Sequence, residues 1–147
     1  MRLTRFTEYS LRVLIYLGQN KDRRVTIHQI SEDYDISKNH LMKVVSNLTR
    51  QQFVVAQRGP GGGIRLSRSA ADINLGEVIG NTEKHLQSPD QPGFSSRTAA
   101  AVDSRLNGYL RQALQAYLDE LSRHTLADIL EANVQSGQLL EMTEQAA

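Results

Sequence analysis

Ser37, Lys38, Asn39 and His40, with Lys43 one turn further on, gather a hydroxyl, two ammonium groups, an amide and an imidazole into two turns of chain. Groups of this kind suit hydrogen bonding to base edges and charge pairing with phosphates. A second set lies at Arg58 and Arg65, which flank the run Gly59-Pro60-Gly61-Gly62-Gly63. Guanidinium groups there fit a phosphate or a narrow minor groove, and glycines such as Gly62 let the backbone approach a neighbouring strand closely. The glycine run is not a nucleotide cradle, because no Gly-Lys-Ser/Thr follows it and it leads into a strand. His28, His40, His85 and His124 are scattered without a pair at ligand spacing, so no metal site is expected. No nucleophile, base and orienting acid assemble from these motifs; no catalytic residues, and no enzyme, are expected. The chain has no cysteine, which removes thiolate nucleophiles, Cys-bound zinc and ordinary iron–sulfur ligation together.

The stretch that must position the first set runs from Thr26 to Asn47. Ile27, Ile30 and Tyr34, then Leu41, Val44, Val45 and Leu48, keep helical spacing that breaks once at Asp35-Ile36. Thr26 and Ser37 stand where N-caps are wanted, and Asp35 tolerates a left-handed backbone at the bend. This predicts a helix-turn-helix over about 26–50, with Thr26, Ser37, Lys38, Asn39, His40 and Lys43 as DNA contacts. Helix-turn-helix geometry also occurs in proteins that bind no DNA, where such residues are a solvated face. Alternation in Val54-Val55-Ala56-Gln57 and Ile64-Arg65-Leu66-Ser67 predicts a β-hairpin over 54–67. A hairpin directly after a helix-turn-helix reads as a wing that adds Arg58, Gly62 and Arg65 to the contacts; a purely structural turn is the alternative.

Around these, Phe6, Tyr9, Val13, Leu14 and Leu17 predict a first helix from about Phe6 to Asn20, apolar on more than one side. Ile73, Leu75, Val78 and Ile79 predict a short helix from Asp72 to about Thr82, closing a DNA-binding unit over 1–82. Pro89, Pro92 and Gly93 mark 83–102 as a mobile loop. From Asp103 to about Asn133 an apolar stripe through Leu106, Leu110, Leu114, Tyr117, Leu121, Leu126 and Leu130 predicts one long helix. So small a domain does not cover such a stripe alone, so a homodimer joined by this helix is expected, with an intramolecular core helix as the alternative. Residues 134–147 read as a disordered tail. The fold class is thus mainly α with a small β-hairpin wing, a winged helix-turn-helix plus a long C-terminal dimerisation helix.

The 147 residues suffice for one compact domain with an arm. Residues 1–70 carry 12 Lys and Arg against 5 Asp and Glu, and residues 71–147 carry 5 against 11, so +7 and −6 lie behind a net charge of +1. The basic half suits double-stranded DNA, and the acidic half is expected to face away from it. No apolar run is long enough for a membrane span and the N-terminal stretch lacks a signal-peptide pattern, so cytoplasmic residence is expected.

Leu3-Thr4-Arg5-Phe6-Thr7-Glu8-Tyr9, Ser37-Lys38-Asn39-His40-Leu41-Met42-Lys43-Val44, Arg58-Gly59 with Gly62-Gly63-Ile64-Arg65-Leu66, and His124-Thr125-Leu126-Ala127-Asp128 together resemble a known family. Over about residues 1–133 the chain is similar to the NsrR/IscR-like winged helix-turn-helix transcriptional regulators, its NsrR branch above all. The resemblance implies a homodimer, most often a repressor, that occupies a DNA operator. Regulators of that branch usually hold an iron–sulfur cluster through three cysteines in the loop before the long helix, and cluster state controls DNA affinity. Anchored on Arg105-Leu106, those positions fall on Ser104 and near Thr98 and Gly93. A hydroxyl does not replace a thiolate on iron, so no cofactor is expected. The family's acidic ligand falls on Glu8, where Asp is more usual; without the cysteines Glu8 is expected to pair with a nearby Arg or cap a contact. A naturally cluster-free relative or an engineered ligand-less variant would each account for this. The loop departs from the family around all three positions rather than at three letters, which favours the natural one. A winged-helix module that docks a partner protein remains the competing function.

Overall fold

A computed structural model of the chain describes residues 3–83 and 100–132. Helix α1 spans Arg5–Gln19, with the Thr4 hydroxyl accepting from the Thr7 N–H as its N-cap. It buries Val13, Leu14, Tyr16 and Leu17, while Phe6, Tyr9, Leu11 and Ile15 pack half-buried against the same core. That is the many-sided covering its sequence predicts.

Helix α2 (Ile27–Tyr34) opens on a reciprocal cap, Thr26 Oγ1 accepting from the Gln29 N–H and Gln29 Oε1 from the Thr26 N–H. It ends on Asp35 in the left-handed region, at φ 51° and ψ 45°. The next residue, Ile36, is buried, and its carbonyl accepts from Ser31 Oγ at 2.7 Å. Helix α3 (Lys38–Arg50) starts from Ser37, whose hydroxyl accepts from the His40 N–H, and buries Leu41, Val44, Val45 and Leu48. Its C-terminus closes with the Gln52 N–H on the Thr49 carbonyl and the Phe53 N–H on the Leu48 carbonyl, at 3.1 and 2.9 Å. This is the Schellman arrangement, with Gln52 at φ 60° in the place that glycine usually takes.

Strands β1 (Val54–Gln57) and β2 (Gly63–Leu66) pair antiparallel, with Val54 opposite Leu66 and Gln57 opposite Gly63. Val25, in the link between α1 and α2, exchanges two backbone hydrogen bonds with Ile64, at 3.0 and 2.7 Å. The wing is thereby tied to the entrance of the helix-turn-helix. A 3-10 turn (Ala70–Asp72) leads to α4 (Leu75–Thr82), which starts at its Asn74 cap rather than at Asp72.

The single long helix expected over 103–133 is instead two. Helix α5 runs Ala100–Leu121, starting within what was expected to be loop, and residues 126–132 form a separate helix, α6. Two devices interrupt the stripe. Thr125 and Asp128 make a second reciprocal cap, with the Thr125 N–H on Asp128 Oδ2 at 2.7 Å and the Asp128 N–H on Thr125 Oγ1 at 3.4 Å. The chain between the helices also pairs with the start of α4, the Leu75 N–H on the His124 carbonyl and the Leu126 N–H on the Ile73 carbonyl. Leu126 is thus fully buried in the chain's own core, with Leu130 packed against it. The stripe beyond Leu121 therefore belongs to the intramolecular core, where burial of such a side chain contributes about 1.5–3 kcal/mol.

One core results, from α1, α2, α3, both strands, Ile73, α4 and Leu126. Most of the expected loop over 83–102 (84–99), the expected tail over 134–147, and the positions Gly93 and Thr98 lie outside the described residues. Among the described residues no helix is long and apolar enough to cross a membrane.

Candidate nucleic-acid interface

With Leu41, Val44, Val45 and Leu48 turned to the core, α3 presents Lys38, Asn39, His40, Met42, Lys43, Ser46, Thr49 and Arg50 to solvent. The cap at Ser37 satisfies the first turn and leaves the Lys38, Asn39 and His40 side chains exposed. Lys38, Lys43 and Arg58 form no ion pair with any carboxylate among the described residues. Unpaired ammonium and guanidinium groups on one basic unit are what a polyanion requires.

The pose of α3 is set from behind. Tyr16 Oη donates to the Asp33 carboxylate, joining α1 to α2, and the Tyr16 and Tyr34 rings meet edge-on at 5.6 Å. The bond to Asp33 is the main reason the Tyr16 phenol lies above its ordinary pKa, and burial is the main reason for Tyr34. Tyr9 of α1 stacks at a tilt on His40, with ring centroids 6.1 Å apart. His40 thus has a ring neighbour on α1, a contact that the sequence motifs, which place Tyr9 in the apolar stripe of the first helix, did not indicate.

At the wing tip the Gly62 N–H donates to the Gly59 carbonyl at 2.9 Å across Pro60 and Gly61. Proline followed by a glycine at φ 71° is the signature of a type II turn, so the tip is a closed turn rather than a slack loop. A Cβ on Gly62 would lie 2.4 Å from the Gln57 carbonyl oxygen, which explains that glycine by backbone crowding within the wing. Arg58 leaves the end of β1 exposed, and Arg65 is exposed on β2, its Nη1 only 3.3 Å from the Leu66 carbonyl. Arg68 is otherwise employed: it pairs with Glu77 at 2.7 Å and lies over the Phe53 ring at 5.2 Å. Thr26 is exposed, but its hydroxyl and N–H serve the α2 cap.

Of the family's cluster positions, Glu8 and Ser104 fall among the described residues. Glu8 Oε1 is paired with Arg12 Nη2 at 2.7 Å, the arginine partner its sequence context predicts. Ser104 falls in α5. Among the described residues no three His, Cys, Asp or Glu come together as a cation site, and an iron–sulfur cluster needs thiolates that the chain does not contain. The residues therefore do not fit the group. One feature, the Glu83 anchor, had no signal in the sequence motifs, and a second was signalled only as part of an apolar stripe. Glu83, buried at the end of α4, accepts from the Thr4 N–H at 2.7 Å and so anchors the start of α1 from the far side of the unit. On α5, Leu106, Tyr109 and Leu110 remain exposed, Tyr109 by 67%.

Comparison with known proteins gives a consistent picture. The Rrf2 family, described as iron-dependent transcriptional regulators, matches residues 3–132. The chain is 42% identical over 148 residues to the HTH-type transcriptional regulator NsrR of Bacillus subtilis, covering 98% of this chain and all of that protein. Two solved structures share the fold. IscR of T. potens has a TM-score of 0.65 at 22% identity, over 90% of this chain and 88% of that one. Oxidized CymR of Staphylococcus aureus has a TM-score of 0.67 at 23% identity, over 89% and 97%.

Proposed function

The chain belongs to the Rrf2 family of transcriptional regulators, and from that premise we propose that it is a cytoplasmic, homodimeric repressor that reads a roughly palindromic operator without an iron–sulfur cluster. The observation that carries this reading is the solvent face of α3, polar at nearly every position, capped at its N-terminus and bearing lysines without carboxylate partners among the described residues. Ser37, Lys38, Asn39 and His40 open the helix that enters the major groove, where an amide or imidazole reads base edges. Lys43, Arg58 and Arg65 neutralise phosphates, while the backbone at Gly62 and the cap at Thr26 bring wing and helix end to the DNA surface. Residues 1–82 with α6 form the DNA-binding unit, and the exposed apolar face of α5 joins two copies, which sets two recognition helices a helical turn apart.

Absence of thiolates makes the regulation cluster-independent. The purified protein is expected to lack broad visible absorption, and stoichiometric iron and sulfide would overturn that. The DNA roles separate in a salt series. Arg65→Ala should weaken binding to all sequences and flatten the salt slope by about one unit, whereas Asn39→Ala should relax sequence preference at a cost of about 1–3 kcal/mol on the operator. Equal effects of both changes on operator and random DNA would refute these assignments, and salt-insensitive binding would favour a protein-docking module instead.

A further inference from the structure

Five large apolar side chains are markedly exposed among the described residues, and three of them, Leu106, Tyr109 and Leu110, lie together on α5. A fourth, Val55, sits in the wing opposite Arg65. The fifth is Met42, 50% exposed on α3. Every other exposed position of that helix is polar: Lys38, Asn39, His40, Lys43, Ser46, Thr49 and Arg50. Met42 follows Lys38 by four residues and Asn39 by three and precedes Ser46 by four, so at 3.6 residues per turn it stands among them on one face. It is off the buried stripe of Leu41, Val44, Val45 and Leu48, and the core does not explain it.

We infer that Met42 is a specificity-determining residue that contacts the C5-methyl group of thymine in the major groove. Of the four bases only thymine offers an apolar group there, and it lies on the groove edge that amide and imidazole side chains also probe. An unbranched thioether side chain is well shaped for the task, since it adapts to a small apolar target without a fixed rotamer. Polar neighbours at 38, 39 and 43 supply hydrogen bonds and charge, but none of them distinguishes thymine from a base lacking the methyl. Met42 adds that distinction. The inference rests on the reading of α3 as the base-reading helix.

The test begins by selecting preferred duplexes from a random pool with the full-length protein, so that no operator need be known. Each thymine of the selected duplex is then replaced singly by deoxyuridine, which keeps the pairing and removes only the methyl. Wild type should lose about fourfold in affinity at one thymine per half-site, the factor that burying one methyl group supplies. Met42→Ala should lose a similar factor on the thymine duplex and be indifferent to uracil at that position, while Met42→Leu keeps the preference. Because the side chain is half exposed, both variants should melt with wild type. Indifference of the wild type to uracil at every thymine, or a Met42→Ala protein that retains the full preference for thymine, overturns the inference. If in that case Asn39→Ala still changes the selected sequence, the reading of α3 stands and only Met42 falls. A pool from which nothing is enriched removes both.

Discussion

Replacing Gly76 by alanine tests how the helix that bears the proposed dimer surface is fastened to the DNA-binding unit. Gly76 lies in the first turn of α4 against the end of α5, and an alanine Cβ there would stand 2.1 Å from Ser122 Oγ, 2.7 Å from the Leu118 carbonyl oxygen and 3.0 Å from the Ser122 nitrogen. The hydroxyl can rotate away at little cost. The backbone atoms cannot, because the Ser122 N–H is bonded to the Leu118 carbonyl at 2.9 Å and the Ser122 carbonyl accepts from Asn74 Nδ2 at 2.6 Å. The two helices must therefore separate by several tenths of an ångström. Overpacking of this kind costs about 1–3 kcal/mol, while alanine's better helix propensity returns at most about 1 kcal/mol and less in a first turn. The clash wins, with a net loss of about 1–2 kcal/mol and a fall in Tm of roughly 3–6 °C for a chain of this size. Melting must be compared at one protein concentration, since a dimer's Tm depends on it. Gly108→Ala is the matched control: nothing lies within 4 Å of its Cβ in mid-α5, so it should hold or raise Tm. Adding Ser122→Ala to Gly76→Ala removes only the hydroxyl and should recover less than half of the loss. A Tm for Gly76→Ala at or above wild type would refute the close approach, and full recovery in the double variant would refute the role of the backbone.

Gln52→Gly should stabilise the protein by about 0.5–1 kcal/mol, because the side chain holds a left-handed C′ position at φ 60°; a loss of stability in urea unfolding would contradict this. If the proposed dimer forms through α5, introducing glutamate at Tyr109 and Leu110 together should convert it to a monomer at micromolar concentration in light scattering with helix content unchanged, and a dimer that persists would remove α5 as the interface. Asp128 is held below the usual carboxylate range, first by the Thr125 N–H and then by its hydroxyl. A lowered native pKa gives stability that is full above the unfolded value, about 3.9, and is lost as pH falls through the native one. Asp128→Asn should therefore melt lower than wild type at neutral pH and converge with it in acid; parallel curves down to pH 2 would exclude the cap.

The helix-turn-helix and wing are legible in the sequence because short-range physics fixes them. Caps at Thr26 and Ser37, the left-handed Asp35 and the period-two alternation of β1 and β2 each act within a few residues, and each is found where the pattern puts it. The break between α5 and α6 is a different case. Leu118, Leu121, Ile129 and Leu130 keep helical phase across it, so periodicity alone reads one helix. The local signal, Thr125 with Asp128 three residues on, was present but weaker than the stripe. What decides the outcome is long-range, the pairing of His124 and Leu126 with Leu75 and Ile73, which sends Leu126 into the core. The anchoring of Thr4 by Glu83 is invisible for the same reason, since the partners lie 79 residues apart. Met42 is a third case: it is apolar, but its angular position, off the stripe that Leu41, Val44, Val45 and Leu48 define, turns it outward. A single apolar residue on a polar helical face carries information that composition and periodicity average away, and here it falls on the helix whose other exposed residues all carry polar groups.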